Sequence, residues 1–352
     1  MTTPKTMSGV YLTGHGGPEV LEWRDDIPVP EPGAGQILVR VAAAGVNNTD
    51  INTRVGWYSS DVTGATDAVD QDVEAGGWGG ALRFPRIQGG DLCGIVEVVG
   101  DGAGFEQGQR VTCAINIPRP RPRPGNPQGF IALGSEIDGA FAQYCLVEAD
   151  DLYDVSASPL THVEIAAIPC AFGTAENLLT RAGVTAGQKI LITGASGGVG
   201  LAAVQLAALR GASVWGVTSE AKAEIVKSQG AENTFDRNDP LPQDMFDVVI
   251  DVVGGPVWPS LILSLKPGGH YAVSGAIAGP IVEADLRDIY LRDITIHGCT
   301  HQAPEVFARL VEMVNTGRIK PLVSRTYPLK DIGIAQADFQ SKTLPGKLVL
   351  VP

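Results

Sequence analysis

The sequence predicts an α/β protein in which a doubly wound parallel sheet is joined to a second, mainly β domain. Three observations carry this: a length of 352 residues, a change of texture at Thr161, and a glycine-rich turn, Thr193 to Gly200, between an apolar strand and a helix. A chain this long exceeds what one hydrophobic core usually organises, so two domains are expected. Glycine fills 44 positions with no collagen-like period, which implies many tight turns.

The first domain is expected over residues 1–155. Short alternating runs such as GQILVRVAAAG and LCGIVEVVGDG, separated by Gly and Pro, read as strands with tight turns. Two stretches break that rhythm and read as surface loops. Trp57 to Leu82 is acidic and glycine-rich, with Trp57, Tyr58 and Trp78 available to cover a bulky substrate. Pro118 to Pro127 is an arginine and proline run of extended geometry, whose arginines suit either solvent or an acidic face on a second subunit.

The second domain is expected over residues 156–300. KILITGASGGVG reads as a buried strand and turn, Val199 to Arg210 as a helix, ASVWGVTS as a strand, Glu220 to Gln229 as a helix and DVVIDVVG as a further strand. GGHYAVSG, with Ser274 at its end, and DITIHGC complete the series. Strand and helix in alternation imply parallel pairing and right-handed crossovers, with ligands at the carboxyl ends of the strands. Beyond it, Pro304 to Gly317 has helical spacing and GKLVLVP is an apolar strand, so residues 301–352 are expected to rejoin the first domain.

The turn itself has the A-x-G-x-x-G form of a Rossmann dinucleotide site, with Ala195, Ser196, Gly197, Gly198, Val199 and Gly200 contributing. Gly197 lets backbone approach a pyrophosphate, Gly200 lets helix pack on strand, Ser196 adds a hydroxyl, and the helix N-terminus offers free N–H groups. An NAD site usually places a carboxylate at the end of the second strand. Here that strand ends in Thr218 and Ser219, followed by Lys222, with Arg237 after the third strand. Hydroxyls and cations suit an additional phosphate, so NADPH is the expected cofactor, although Glu220 stands among them.

A formal charge of −13 disfavours nucleic acid and anionic membranes as partners. No run of about 18 apolar residues is present to span a bilayer, and the opening MTTPKTMSGVYLTG lacks the regions of a signal peptide, so a cytoplasmic protein is expected. The five cysteines are dispersed without a CxxC pair, against both a disulfide framework and a zinc ribbon.

Taken in order, GHGGPEVLEW, VRVAAAGVNNTD, FPRIQGGDLCGIVEVVG, AAIPCAFGTAENLL, ITGASGGVG, LKPGG and GKLVLV resemble the medium-chain dehydrogenase/reductase superfamily over nearly the whole chain. The resemblance implies a GroES-like catalytic domain formed by both chain ends, a Rossmann domain between them, and commonly a homodimer or homotetramer. Zinc-dependent members hold the metal with a Cys, a His and a Cys at positions matching Asn47, Gly90 and Cys170. Only Cys170 keeps a ligand, the four-cysteine structural lobe is replaced by the Pro118 to Pro127 run, and no bound zinc is expected.

Loss of the metal shifts the expected chemistry toward hydride addition to a quinone or an α,β-unsaturated carbonyl, where conjugation spreads the charge. Zinc-free members similar to quinone oxidoreductase carry an asparagine where Asn47 stands. The resemblance therefore suggests Asn47 as a donor to substrate oxygen, with Thr49 and Asp50 beside it, Tyr58 as a proton donor, and Thr174 at the nicotinamide. The same Asn-Asn-Thr-Asp run also reads as a helix cap. An alcohol or aldehyde dehydrogenase with an altered zinc site, and a non-catalytic NADPH-binding protein, are the competing readings.

Overall fold

The computed structural model describes residues 3–59, 61–65, 76–77, 80–118 and 129–352. Trp78 and most of the arginine and proline run, on which an aromatic cover and a subunit contact were expected, lie outside the described residues. The chain divides into two compact units, one formed mainly by the N-terminal part through Gly173 with Ala303–Pro352, the other mainly by Thr174–Gln302. These compact units divide at 173/174 and 302/303, whereas the sequence predicts domain bounds at 155/156 and 300/301. The cause is local. Ile165, Ala166, Ala167 and Ile168 are all buried, and the backbone N–H of Cys170 donates to Asp91 at 2.6 Å, so this stretch belongs with the first unit.

The first unit is built on a seven-stranded sheet. In spatial order its strands are Leu152–Asp154, Arg110–Cys113, Asp91–Val99, Gln36–Gly45, Lys347–Val351 and Val323–Pro328, with Tyr144–Glu148 also paired to Gln36–Gly45. Alternating Ile37, Val39, Val41 on one strand and Leu92, Val96, Val111, Leu348 and Leu350 on other strands of the sheet fill one core. Register positions the site. Gly45 is paired with Asp91 on one side and with Val349 on the other, so three strands distant in sequence meet at one point.

Helix α1 (Asn48–Val55) leaves that point directly. Asn47 is its extended N-cap residue, and Asp50 reaches back to accept the Asn47 N–H at 2.8 Å, satisfying a donor that the first turn would leave unpaired. Gly56 ends the helix at φ 76°, a conformation that strains other residues. Helix α2 (His162–Ile165) opens on a reciprocal cap between Thr161 and Glu164, and α3 (Pro169–Arg181) follows and runs into the second unit.

The second unit is a six-stranded, wholly parallel sheet in the order Asn233–Phe235, Ser213–Val217, Lys189–Ile192, Phe246–Asp251, Leu265–Val273 and Thr295–Gly298. Numbered along the chain this is 3-2-1-4-5-6, the doubly wound order. Its ligand crevice is expected where the winding reverses, between Lys189–Ile192 and Phe246–Asp251. Helix α4 (Gly198–Leu209) follows the first strand, and α5 (Ala223–Ser228), preceded by the 3-10 turn Glu220–Lys222, follows the second.

Candidate active site and cofactor cradle

In the second unit the glycine-rich turn closes tightly. A Cβ on Gly200 would meet the Gly194 carbonyl oxygen at 2.2 Å and Ala195 Cα at 2.6 Å, so only glycine lets α4 dock on the strand it follows. At Gly197 the nearest atom would be 3.4 Å away, and the residue is exposed, which leaves an open side for a diphosphate to approach backbone. Ala195 and Ser196 are buried beneath the turn, while Gly198 and Val199 are half-buried at the start of α4.

The crevice below is pinned by Asp251, which is wholly buried. It accepts the Thr193 and Tyr271 hydroxyls at 2.5 Å each and the backbone N–H groups of Val253 at 2.8 Å and Gly254 at 3.2 Å. Three adjacent strand ends are thus tied to one carboxylate, an arrangement that the apolar look of DVVIDVVG conceals. Ser274 follows, half-buried, its N–H donated to the Asp251 carbonyl at 3.1 Å.

At the end of the second strand the Thr218 hydroxyl is buried and has no hydrogen-bond partner among the described residues. Ser219 is half-buried beside it and Glu220 is exposed. Burial holds the Lys222 ammonium below its ordinary value, and the nearby positive charge of Arg237 lowers it further. Two cations and an unpartnered hydroxyl therefore gather where an adenosine ribose is expected. These residues fit a dinucleotide.

In the first unit α1 and the residues flanking it carry the side chains expected to face substrate. Tyr58 donates its hydroxyl to Thr49 Oγ1 at 3.0 Å and packs edge-on against Trp57, ring centroids 5.6 Å apart. Burial pushes the Tyr58 phenol up to about 12; hydrogen bonds to Thr49 and Asn52 oppose this, while Cys170 and Asp50 add to it. Thr49, Tyr58, Asn52, Asp50 and Cys170 accordingly share one neighbourhood. Asn48 Oδ1 and Gln88 Oε1 are buried there without a donor among the described residues. Burial also raises the Asp50 carboxyl to about 7, with the Asp91 charge adding and its own hydrogen bond and Lys347 opposing.

Asn47 is corrected. Its Nδ2 donates to Asp91 at 2.9 Å and lies 3.5 Å from the Gly45 carbonyl, its Oδ1 accepts from Lys347 at 2.5 Å, and it is buried. The amide is spent on protein partners, so it is a strut of the turn and not a donor to substrate. Lys347 is the residue that sequence reasoning missed, since it lies 300 positions away along the chain.

The zinc ligand set of metal-dependent relatives does not fit this locus. Asn47 is an amide already engaged, and Gly90 offers no ligand. A Cβ on Gly90 would meet Ile115 Cδ1 at 2.2 Å, so the space of the absent side chain is filled by an isoleucine. Among the described residues no group of three or more His, Cys, Asp or Glu is placed to hold a metal. Thr174, expected at the nicotinamide, is half-buried on α3 in the second unit.

Two known domain families match the chain. Residues 33–157 match the alcohol dehydrogenase GroES-like domain, and residues 198–316 match the zinc-binding dehydrogenase domain. A crystal structure of a provisionally assigned alcohol dehydrogenase from Sinorhizobium meliloti 1021 is 39% identical, with a TM-score of 0.89 over 99% of this chain and 98% of the other. The chain belongs to the medium-chain dehydrogenase/reductase superfamily. It is an oxidoreductase of that NAD(P)-dependent superfamily, with the GroES-like and Rossmann-like architecture the sequence predicted. Quinone oxidoreductase of Mus musculus is 29% identical over 373 residues, covering 99% of both chains. Acryloyl-coenzyme A reductase of Sulfurisphaera tokodaii is 27% identical over 342 residues, covering 93% of this chain and 96% of the relative.

Proposed function

We propose that this superfamily member is an NADPH-dependent reductase of quinones or α,β-unsaturated carbonyls that uses no catalytic metal. The observation that carries the reading is the chemistry of the former metal locus, where an engaged amide, a glycine backed by Ile115 and a buried ammonium replace a ligand set. A simple ketone or alcohol needs an electrophile to steady its oxygen, whereas a conjugated acceptor delocalises that charge and needs only hydrogen-bond donors. Relatives named for quinone and acryloyl-coenzyme A reduction support the same substrate class.

NADPH supplies the hydride when bound. The turn Ala195 to Gly200 holds its diphosphate, Thr218, Ser219, Lys222 and Arg237 receive the additional phosphate, and Ser274 and Thr174 line the nicotinamide side. Thr49 and Tyr58 form the hydroxyl pair that orients the substrate oxygen and delivers a proton. Asp50 keeps the first turn of α1 in place. The preference for NADPH is supported by the unpartnered Thr218 hydroxyl and by the two cations that converge beside it.

The protein is further read as a cytoplasmic homodimer. None of its five cysteines forms a disulfide, as in a reducing compartment, and no helix is long and apolar enough to cross a membrane among the described residues. The outer strand Thr295–Gly298 and the helix Leu286–Tyr290 expose Leu286, Tyr290, Leu291 and Ile296, an apolar face suited to a second copy.

The test is a panel of quinones, enones, aldehydes and alcohols assayed with NADPH and NADH, before and after exhaustive chelation. Turnover of a quinone or enone with NADPH, undiminished by chelation, is expected. Oxidation of an alcohol that disappears with a stoichiometric zinc would replace this reading with a metal-dependent dehydrogenase.

A further inference from the structure

The unit that carries Thr49 and Tyr58 contains a buried cation for which the reaction above has no use. Lys347 is 3% exposed. Its ammonium donates to the Val46 carbonyl at 2.9 Å, to Asn47 Oδ1 at 2.5 Å and to Asp91 Oδ2 at 2.9 Å, which engages all three of its hydrogens. Asp91, wholly buried, receives in addition Asn47 Nδ2 at 2.9 Å and the Cys170 N–H at 2.6 Å. Four stretches meet on this pair: the turn into α1, the start of Asp91–Val99, the first turn of α3 and the start of the last strand. Three of them carry the positions at which zinc-dependent relatives hold metal.

A stability argument alone does not account for such a group. Buried ion pairs lose much of their Coulomb energy to desolvation, and apolar pairs of equal volume often hold a fold as well. Geometry is what the ammonium adds. Because it can only donate, it obliges Asn47 to present its oxygen, which sends the amide nitrogen to Asp91 and fixes the peptide that opens α1. Asp91 in turn aligns the backbone of α3 at Cys170.

We propose that Lys347 is a positioning residue, whose tethered ammonium supplies the fixed positive charge of this locus and holds the turns that present Thr49 and Cys170. Its effect on turnover rests on the reading of Thr49 and Tyr58 as the substrate side; its effect on the two turns does not.

The test compares wild type with Lys347→Met, which removes the charge at similar volume, and Lys347→Arg, which keeps it. Hydrogen exchange followed by mass spectrometry on the full chain is expected to accelerate in the methionine variant over residues 46–52 and 168–172, and to remain as in wild type over 189–217. Arginine restores part of the protection. With a quinone, kcat is expected to fall about tenfold or more in the methionine variant, while the dissociation constant for NADPH stays within about twofold of wild type. Unchanged exchange over both turns, or acceleration spread evenly through the unit, overturns the proposal. If wild type reduces no quinone or enone, the functional reading fails and the exchange comparison still decides Lys347. Should the single variant not fold, the charge-free pair Asp91→Asn with Lys347→Met leaves no unpaired buried charge and is compared in the same way.

Discussion

Asp50 is a carboxyl that the fold prefers uncharged. Burial raises it to about 7 from an ordinary 3.8, so the folded state binds its proton more tightly than the unfolded chain. The associated stability is complete below the unfolded value and is lost as pH rises toward and through about 7. The loss amounts to at most about 4 kcal/mol. Asp50→Asn retains an acceptor for the Asn47 N–H and has no charge to bury. Thermal melting at pH values across the acid to neutral range is expected to show a falling Tm for wild type and a flatter profile for the variant; parallel profiles would remove Asp50 from this role. Lys222 acts at the same scale in the other unit. Lys222→Ala is expected to weaken NADPH roughly 10- to 100-fold, the worth of a charge-assisted contact, and NADH far less. Fluorescence titration of both nucleotides measures this, and equal losses would withdraw the phosphate assignment.

At the scale of elements, the strand, turn and helix around Gly200 were readable because all of their determinants are contiguous. An apolar run, small residues where backbones approach and a helix beyond them occupy one short window, and Gly200 lies where a side chain would strike the Gly194 carbonyl. Gly200→Ala is expected to lower Tm and to weaken NADPH binding by about tenfold or more, both read on the purified variant; an alanine variant with wild-type affinity would show that the turn yields without cost. Lys347 and Asn47 are the opposite case. Lys347 sits in GKLVLV, a segment that reads correctly as an apolar strand, and nothing local distinguishes a buried lysine from a solvated one at a strand's start. Its meaning depends on Gly45 pairing with both Asp91 and Val349, a register no periodicity discloses. Arg54 was hidden likewise: it is buried on α1, donating to Gln336 at 3.0 Å and to the Gly16 carbonyl at 2.6 Å, where composition suggests a surface residue.

At the scale of the whole molecule, the two-part plan was legible from texture, but texture does not disclose that the stretch from Ser156 to Gly173 packs with the first unit. Its helices look like the opening of the alternating series, and only burial against the first sheet and the Asp91 contact reveal their allegiance. The apolar face along Thr295–Gly298 was equally unreadable, since Ile296 belongs to a strand that sequence alone fills on both sides; here it is 44% exposed. Ile296→Glu is expected to convert a dimer to a monomer in light scattering without loss of secondary structure. A wild-type chain that is monomeric at micromolar concentration would dispose of that assembly.

The buried lysine also has a bearing on how the protein is made. Asn47 and Asp91 leave the ribosome long before Lys347, which follows Asn47 by 300 residues, a delay of roughly 15–60 s at ordinary synthesis rates. Throughout that interval the nascent N-terminal region holds a carboxylate and an amide whose cation has not been translated. The turn bearing Thr49 is therefore expected to acquire its final geometry only after Lys347 has been synthesised and its strand has slotted in beside Gln36–Gly45.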